Sequence, residues 1–132
     1  MSANHATNPV TPRRPVVFYD GGCPRCRREI GFYRRSRGAD ALDWIDIHAD
    51  PTALAGTGIP WVEAMRYFHM LDGDGRWRVG WDGFIALWAA LPRWRWLARI
   101  AALAGLKAIL SGLYRRWADR RFPRRMRECD LD

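Results

Sequence analysis

Lysine is nearly missing from this chain: of its 22 basic residues, all but Lys107 are arginine. Cysteine is also scarce, with 3 in 132 residues. That excludes a small scaffold stapled by several disulfides. The first eleven residues lack an apolar run, so no signal peptide is expected. The most apolar stretch, 94–114, is interrupted by Arg95, Arg99 and Lys107, and no transmembrane helix is expected from it. Internal repeats and low-complexity tracts are absent. These absences lead to the expectation of a soluble, cytoplasmic protein.

What is present suits one packed domain. Hydrophobic residues make up 48% and charged residues 27% of the chain, enough apolar matter for a core. Residues 1–14, with Asn8-Pro9 and Pro12, read as a disordered leader. A single domain is expected over 15–128, with 93–128 as its basic helical part and 129–132 as a tail. Charge is unevenly spread. Residues 1–92 hold 11 arginines against 10 acids, whereas 93–132 hold 11 cations against 4 acids. Arg115, Arg116, Arg120, Arg121, Arg124, Arg125 and Arg127 crowd into one short stretch. That stretch reads either as a solvated helix face or as a contact for an anionic partner.

Val16-Val17-Phe18-Tyr19 is a short uninterrupted run of β-branched and aromatic residues, as a central buried strand requires. Asp20-Gly21-Gly22 ends it with turn chemistry. A helix follows through Arg35, with Pro24 suited to its first turn and Cys26, Ile30 and Tyr33 on one face. Gly38 marks its C-terminal stop. Residues 42–47 alternate and predict a second strand, parallel to the first across a right-handed crossover. Residues 50–59 read as a short helix or loop. Residues 66–71 and 76–80 predict two antiparallel strands around the Asp72-Gly73-Asp74-Gly75 turn. Asp82 reads as the N-cap of a helix to Leu91. Beyond Pro92, a helical region runs to about Arg121, split at Gly105 or Gly112. Its Leu103, Leu106, Leu110, Leu113 and Trp117 form one stripe, which is expected to pack onto the sheet.

The chemistry lies in Cys23-Pro24-Arg25-Cys26, directly after a strand and at a helix start. Residues i and i+3 of a first helical turn lie on one side, within disulfide reach. Unpaired backbone N–H groups and the helix dipole favour a thiolate there. Arg25 and Arg27 add positive charge and are candidates for tuning it. Cys23 is then expected as the exposed nucleophile and Cys26 as the buried resolving thiol, in an exchange through a mixed disulfide. Half of a zinc site has the same spacing, but His5, His48, His69 and Cys129 offer no second ligand pair. Asp20 has two readings, a proton relay to the thiols or a turn carboxylate accepting backbone N–H bonds.

Tyr19-Asp20-Gly21-Gly22-Cys23-Pro24-Arg25-Cys26 resembles the signature of the DCC family of thiol-disulfide oxidoreductases. The family's Asp-x-x-Cys-x-x-Cys pattern is matched by Asp20, Cys23 and Cys26. The resemblance runs from Val16 to Cys129. It implies an α/β thioredoxin-like sandwich, with a four-stranded mixed sheet, added C-terminal helices and a dithiol-disulfide activity. One departure stands out, since no proline precedes the third strand where thioredoxins carry a cis-proline. Ala64 and Met65 are expected to face the dithiol instead.

Tyr19 reads as core or site wall. Trp61 and Trp81 read as core or as a docking surface beside the dithiol, and Trp94 and Trp96 as packing against the sheet or as anchors. His48 and His69 read as satisfied structural histidines, and Cys129 as a spare thiol. The expected function is a protein-disulfide reductase that needs no dissociable cofactor or metal. Its partners would be a protein or small-molecule disulfide and an upstream thiol reductant, with no specific nucleic acid. The alternative is a basic, Trp-rich adaptor that docks on a protein or an anionic membrane, its thiols incidental.

Overall fold

The computed structural model describes residues 14–131, without the side chains of Ala104 and of 128–131. The expected leader, apart from Arg14, therefore lies outside the described residues, as does the Cys129 side chain. Arg14 itself is tied to the domain through Asp43 at 3.0 Å.

Four strands form one mixed sheet: β1 (Val16–Tyr19), β2 (Asp43–Asp46), β3 (His69–Leu71) and β4 (Trp77–Val79), in the order β2-β1-β3-β4. The β1 strand pairs parallel with β2 and antiparallel with β3. Its backbone bonds are thus taken on both edges, which is why it tolerates an all-apolar sequence. The helix α1 (Pro24–Arg34) makes the crossover to β2. This is the thioredoxin-like arrangement.

Period-two alternation along β1 divides the core. Val17 faces one layer, with Ile30 and Tyr33 of α1 and Leu87 and Trp88 of α3 (Trp81–Ala90). Phe18 faces the other, with Ile47, Leu54, and Ala64 and Met65 of α2 (Trp61–Arg66). Trp88 is pinned in the first layer, because its indole N–H donates to the Tyr33 hydroxyl at 3.0 Å. His69 is buried with Nδ1 at 2.8 Å from the Tyr67 carbonyl. At the Asp72 turn, the carboxylate accepts the Asp74 and Arg76 N–H groups, both at 2.9 Å, and Gly75 takes a φ of 82°.

Several boundaries differ from the sequence reading, each for a local reason. The third strand starts three residues late, because Arg66 still closes α2 and the Phe68 amide donates to the Tyr114 hydroxyl at 2.8 Å. The N-cap of α3 is Gly80, at a φ of 66°, and not Asp82; Asp82 lies in the first turn and pairs with Lys107 at 2.8 Å. Residues 50–59 form successive turns. Helix α1 ends at Arg34, and Gly38, at a φ of 88°, opens a short 3-10 turn.

The C-terminal part comprises α4 (Arg95–Ala101) and α5 (Ala104–Leu131), which carries Pro123 within it and runs past the expected tail boundary. The chain breaks at residues 102–103, before Gly105. The expected apolar stripe does not pack onto the sheet: Leu103, Leu106, Leu113 and Trp117 are exposed. Buried Ala98 and Ala101 of α4 make the contact with the core instead. Trp94 packs edge-on against Phe32 and Tyr33, whereas Trp96 faces outward. Among the described residues, no single helix is long and apolar enough to cross a membrane.

Burial makes a graded prediction. Leu87 is fully buried and Ile109 of α5 is 62% exposed. Leu87→Ala should lower unfolding stability by about 2–5 kcal/mol, and Ile109→Ala by less than about 0.5 kcal/mol. Urea unfolding of the two variants checks this.

Candidate active site

Cys23 is the N-cap residue of α1. Its φ of −88° and ψ of 118° place Sγ beneath the helix opening, where it accepts the Cys26 amide at 3.4 Å. Pro24 occupies the first turn, where a missing N–H costs nothing. The dithiol is therefore built by local helix chemistry, as its spacing requires. Both cysteines are free thiols.

The charge that acts on the thiols comes from the far end of the sequence. The Arg121 guanidinium, on α5, donates from Nη2 to Cys26 Sγ at 3.5 Å and to Asp20 Oδ2 at 2.7 Å. Its Nη1 donates to the Met65 carbonyl at 3.0 Å. Arg125, one helical turn on, grips the same carboxylate, with Nε 2.7 Å from Oδ2 and Nη2 3.1 Å from Oδ1. The Gly22 amide adds a bond to Oδ1 at 3.1 Å. Asp20 and Arg125 are both buried, so one carboxylate serves two guanidiniums out of water.

Electrostatics follow from this cluster. Burial pushes the Asp20 carboxyl pKa up, but the bonds and charge of Arg125, the charge of Arg121 and the Gly22 N–H outweigh it; the group is held below its ordinary range. Burial also opposes the Cys23 thiolate. The Cys26 thiol and amide and the Arg121 guanidinium overcome that, and the Cys23 pKa is lowered. Cys26 goes the other way, pushed up to about 12 by burial and by the neighbouring Cys23 sulfur, against the pull of Arg121. Two adjacent thiols with pKa values driven apart suit one nucleophile and one proton-holding partner.

The accessibility expectation is reversed. Cys23 is only 7% exposed, whereas Cys26 is half-buried and opens onto a cavity of about 420 Å³. Tyr19, Ala64 and Met65 line that cavity, together with Phe84, Trp88 and Tyr114. Arg121 bridges the Met65 carbonyl to Cys26, so this stretch does approach the dithiol. Trp81 lies in the cavity wall, but Trp61 is held elsewhere, its indole donating to the Ile47 carbonyl at 2.8 Å. Arg25 stands over the Trp117 ring and Arg27 donates to the Gly21 carbonyl at 3.0 Å. Among the described residues, the guanidinium bonded to a thiol is that of Arg121.

Arg121 and Arg125 are what the sequence reading missed, having been grouped with their neighbours as a solvated helix face or a contact for an anionic partner. The available signal was their four-residue spacing, which puts both on one side of α5. The two glycines gave a second signal, for space and not for turn geometry, since neither has a positive φ. A Cβ on Gly22 would lie 2.7 Å from Arg125 Nη2, and one on Gly21 would overlap the Asp46 carboxylate. That carboxylate accepts the Gly21 and His48 amides, both at 2.9 Å. Among the described residues, no cluster of three or more His, Cys, Asp or Glu could hold a metal ion.

A family model described as DCC1-like thiol-disulfide oxidoreductase matches residues 17–126. No curated protein and no solved structure matches the chain.

Asp20→Asn should destabilise the fold by about 3–5 kcal/mol at neutral pH, because it leaves two guanidiniums without their counter-charge. The wild-type contribution is present above the unfolded carboxyl pKa of about 4 and is lost as pH falls through the lowered folded value. Denaturant titrations at several pH values should therefore find the two proteins converging in acid. Cys23 alkylation should reach half its maximal rate below the pH of a free cysteine, and Arg121→Met should move that midpoint upward.

Proposed function

The chain belongs to the DCC1-like thiol-disulfide oxidoreductase family, and from that premise we propose that it reduces disulfides with Cys23 as nucleophile and Cys26 as resolving thiol. The observation that carries this reading is the position of Arg121, bonded at once to Cys26 and to the Asp20 carboxylate. It keeps positive charge at the sulfur pair through both halves of the cycle. Acidity and exposure point to different cysteines. Acidity decides, because only a thiolate attacks and Cys26 holds its proton far above neutral pH.

In the first half, the Cys23 thiolate attacks one sulfur of the substrate disulfide. A Cys23–substrate bond forms, the substrate S–S bond breaks, and the departing thiolate takes a proton. The negative charge on Cys23 is then gone. The two contributions by which Cys23 raises the Cys26 pKa disappear, while the Arg121 charge remains. Cys26 becomes easier to deprotonate at the moment it is needed. Its thiolate attacks Cys23 Sγ, closes the intramolecular disulfide and releases the second substrate thiol. Two electrons pass to the substrate, and an upstream dithiol restores them. The dithiol itself carries the electrons, so the cycle requires no dissociable cofactor.

Asp20 acts here as a positioning residue. Its carboxylate holds Arg121 at the thiols and stays ionised, which supports orientation over proton relay. The cavity beside Cys26 supports a substrate with an apolar group next to its disulfide, as its aromatic walls suit such a group.

Cys23→Ser should lower reduction of a model disulfide by at least about a hundredfold. Cys26→Ser should accumulate a mixed disulfide at Cys23, visible by mass. A mixed disulfide at Cys26 in the Cys23→Ser variant, with none at Cys23 in the Cys26→Ser variant, would overturn the assignment of roles.

A further inference from the structure

Among the described residues, seven of the ten exposed large hydrophobics fall between Trp96 and Trp117, on α4, at the break and on the first half of α5. Trp96, Leu103, Ile109 and Leu113 are each 58–62% exposed. Large apolar residues exposed in such density along one short stretch mark an interaction site. From the break at Leu103 into α5, Leu103, Leu106, Ile109 and Leu113 succeed one another in steps of three and four. The same row continues as Arg116, Arg120, Arg124 and Arg127, and every one of the eight is exposed. One helix face is therefore apolar in its first half and basic in its second.

The charge around this face is predominantly positive. From 93 to 118 there is no Asp or Glu, against five arginines and Lys107. Lys107 is paired with Asp82, and Asp119, the next acid along the chain, is paired with Arg66. The helical segments on either side of the break meet at 99°. The apolar half of the face therefore adjoins a corner; of Leu103, Leu106, Ile109 and Leu113, Leu113 alone also lines the cavity beside Cys26.

We propose that the α4–α5 corner docks on an anionic lipid bilayer. Trp96, Leu103, Ile109 and Leu113 enter the boundary between headgroups and acyl chains, and Arg116, Arg120, Arg124 and Arg127 lie along the lipid phosphates. A bilayer accepts a convex apolar corner without a matching shape. A second copy laid along the whole face would set arginines against leucines or against arginines, and one overlapping the apolar half alone would leave the arginines without counter-charge. A nucleic acid would leave the apolar half uncovered. The inference is independent of the dithiol chemistry.

The test is flotation of the full chain with vesicles of phosphatidylcholine alone and of phosphatidylcholine mixed with phosphatidylglycerol. Binding to the anionic vesicles should exceed binding to the neutral ones by at least about tenfold and weaken at high salt. Leu103→Asp with Ile109→Asp should cost at least about tenfold in vesicle binding. Arg116→Gln, Arg120→Gln and Arg124→Gln together should cost about a hundredfold. Both variants should keep wild-type circular dichroism and Cys23 alkylation rates, since none of these side chains touches the thiol site. Equal binding to both vesicle types overturns the proposal, as does binding that survives both sets of substitutions. Self-association abolished by Leu103→Asp with Ile109→Asp, without vesicle binding, overturns it in favour of a second copy.

Discussion

Everything distinctive about this protein passes through one buried carboxylate. Asp20 leaves the central strand just before the cysteines and meets two guanidiniums that arrive about a hundred residues later. A buried charge with one partner is costly, and two cations around one anion leave a net positive charge behind. That residual charge sits at the thiols. The same cluster thus fixes the C-terminal helix to the sheet and sets the acidity of the dithiol. A thioredoxin-like core could be built without either, since Val17, Ile30, Leu87 and their neighbours pack independently of it.

Much of this was legible in the sequence where the physics is local. The β1 run, the cysteine spacing at a helix start and the Asp72 turn each depend on neighbours within a few residues, and each took its expected form. The failures share a different character. Asp82 looked like an N-cap, but Gly80 adopts the backbone the turn needs, and the carboxylate was taken by Lys107. The start of β3 depended on Tyr114, whose hydroxyl claims the Phe68 amide from the other end of the chain. Arg121 and Arg125 were invisible within a run of like residues, because sequence alone does not say which arginines turn inward. Gly22 was read for turn chemistry alone, whereas a Cβ there would also meet the Arg125 guanidinium and the His48 ring, each at 2.7 Å.

The C-terminal helix carries two opposed surfaces. Its inner side brings Arg121, Arg125 and Tyr114 to the site. Its outer side carries leucines and then arginines into solvent. Periodicity found the apolar stripe but could not tell which side of the helix the core would use. On its inner side Ala118 is fully buried and the Tyr114 hydroxyl accepts the Phe68 amide, while the larger leucines stay outside. Leu113 and Trp117 border the cavity as well as the exposed face, so the route to Cys26 opens beside the surface assigned to the bilayer.

The central claim is that Arg121, held by Asp20, stabilises the reduced dithiol. The direct measurement is the reduction potential of the Cys23–Cys26 pair in glutathione buffers, read by alkylation and mass, for wild type and Arg121→Met. The account predicts one reversible two-electron step between these cysteines. It also predicts a more negative potential in the variant, because the reduced form loses its stabilising charge while the disulfide does not. An unchanged potential, or cysteines that never pair, would contradict it.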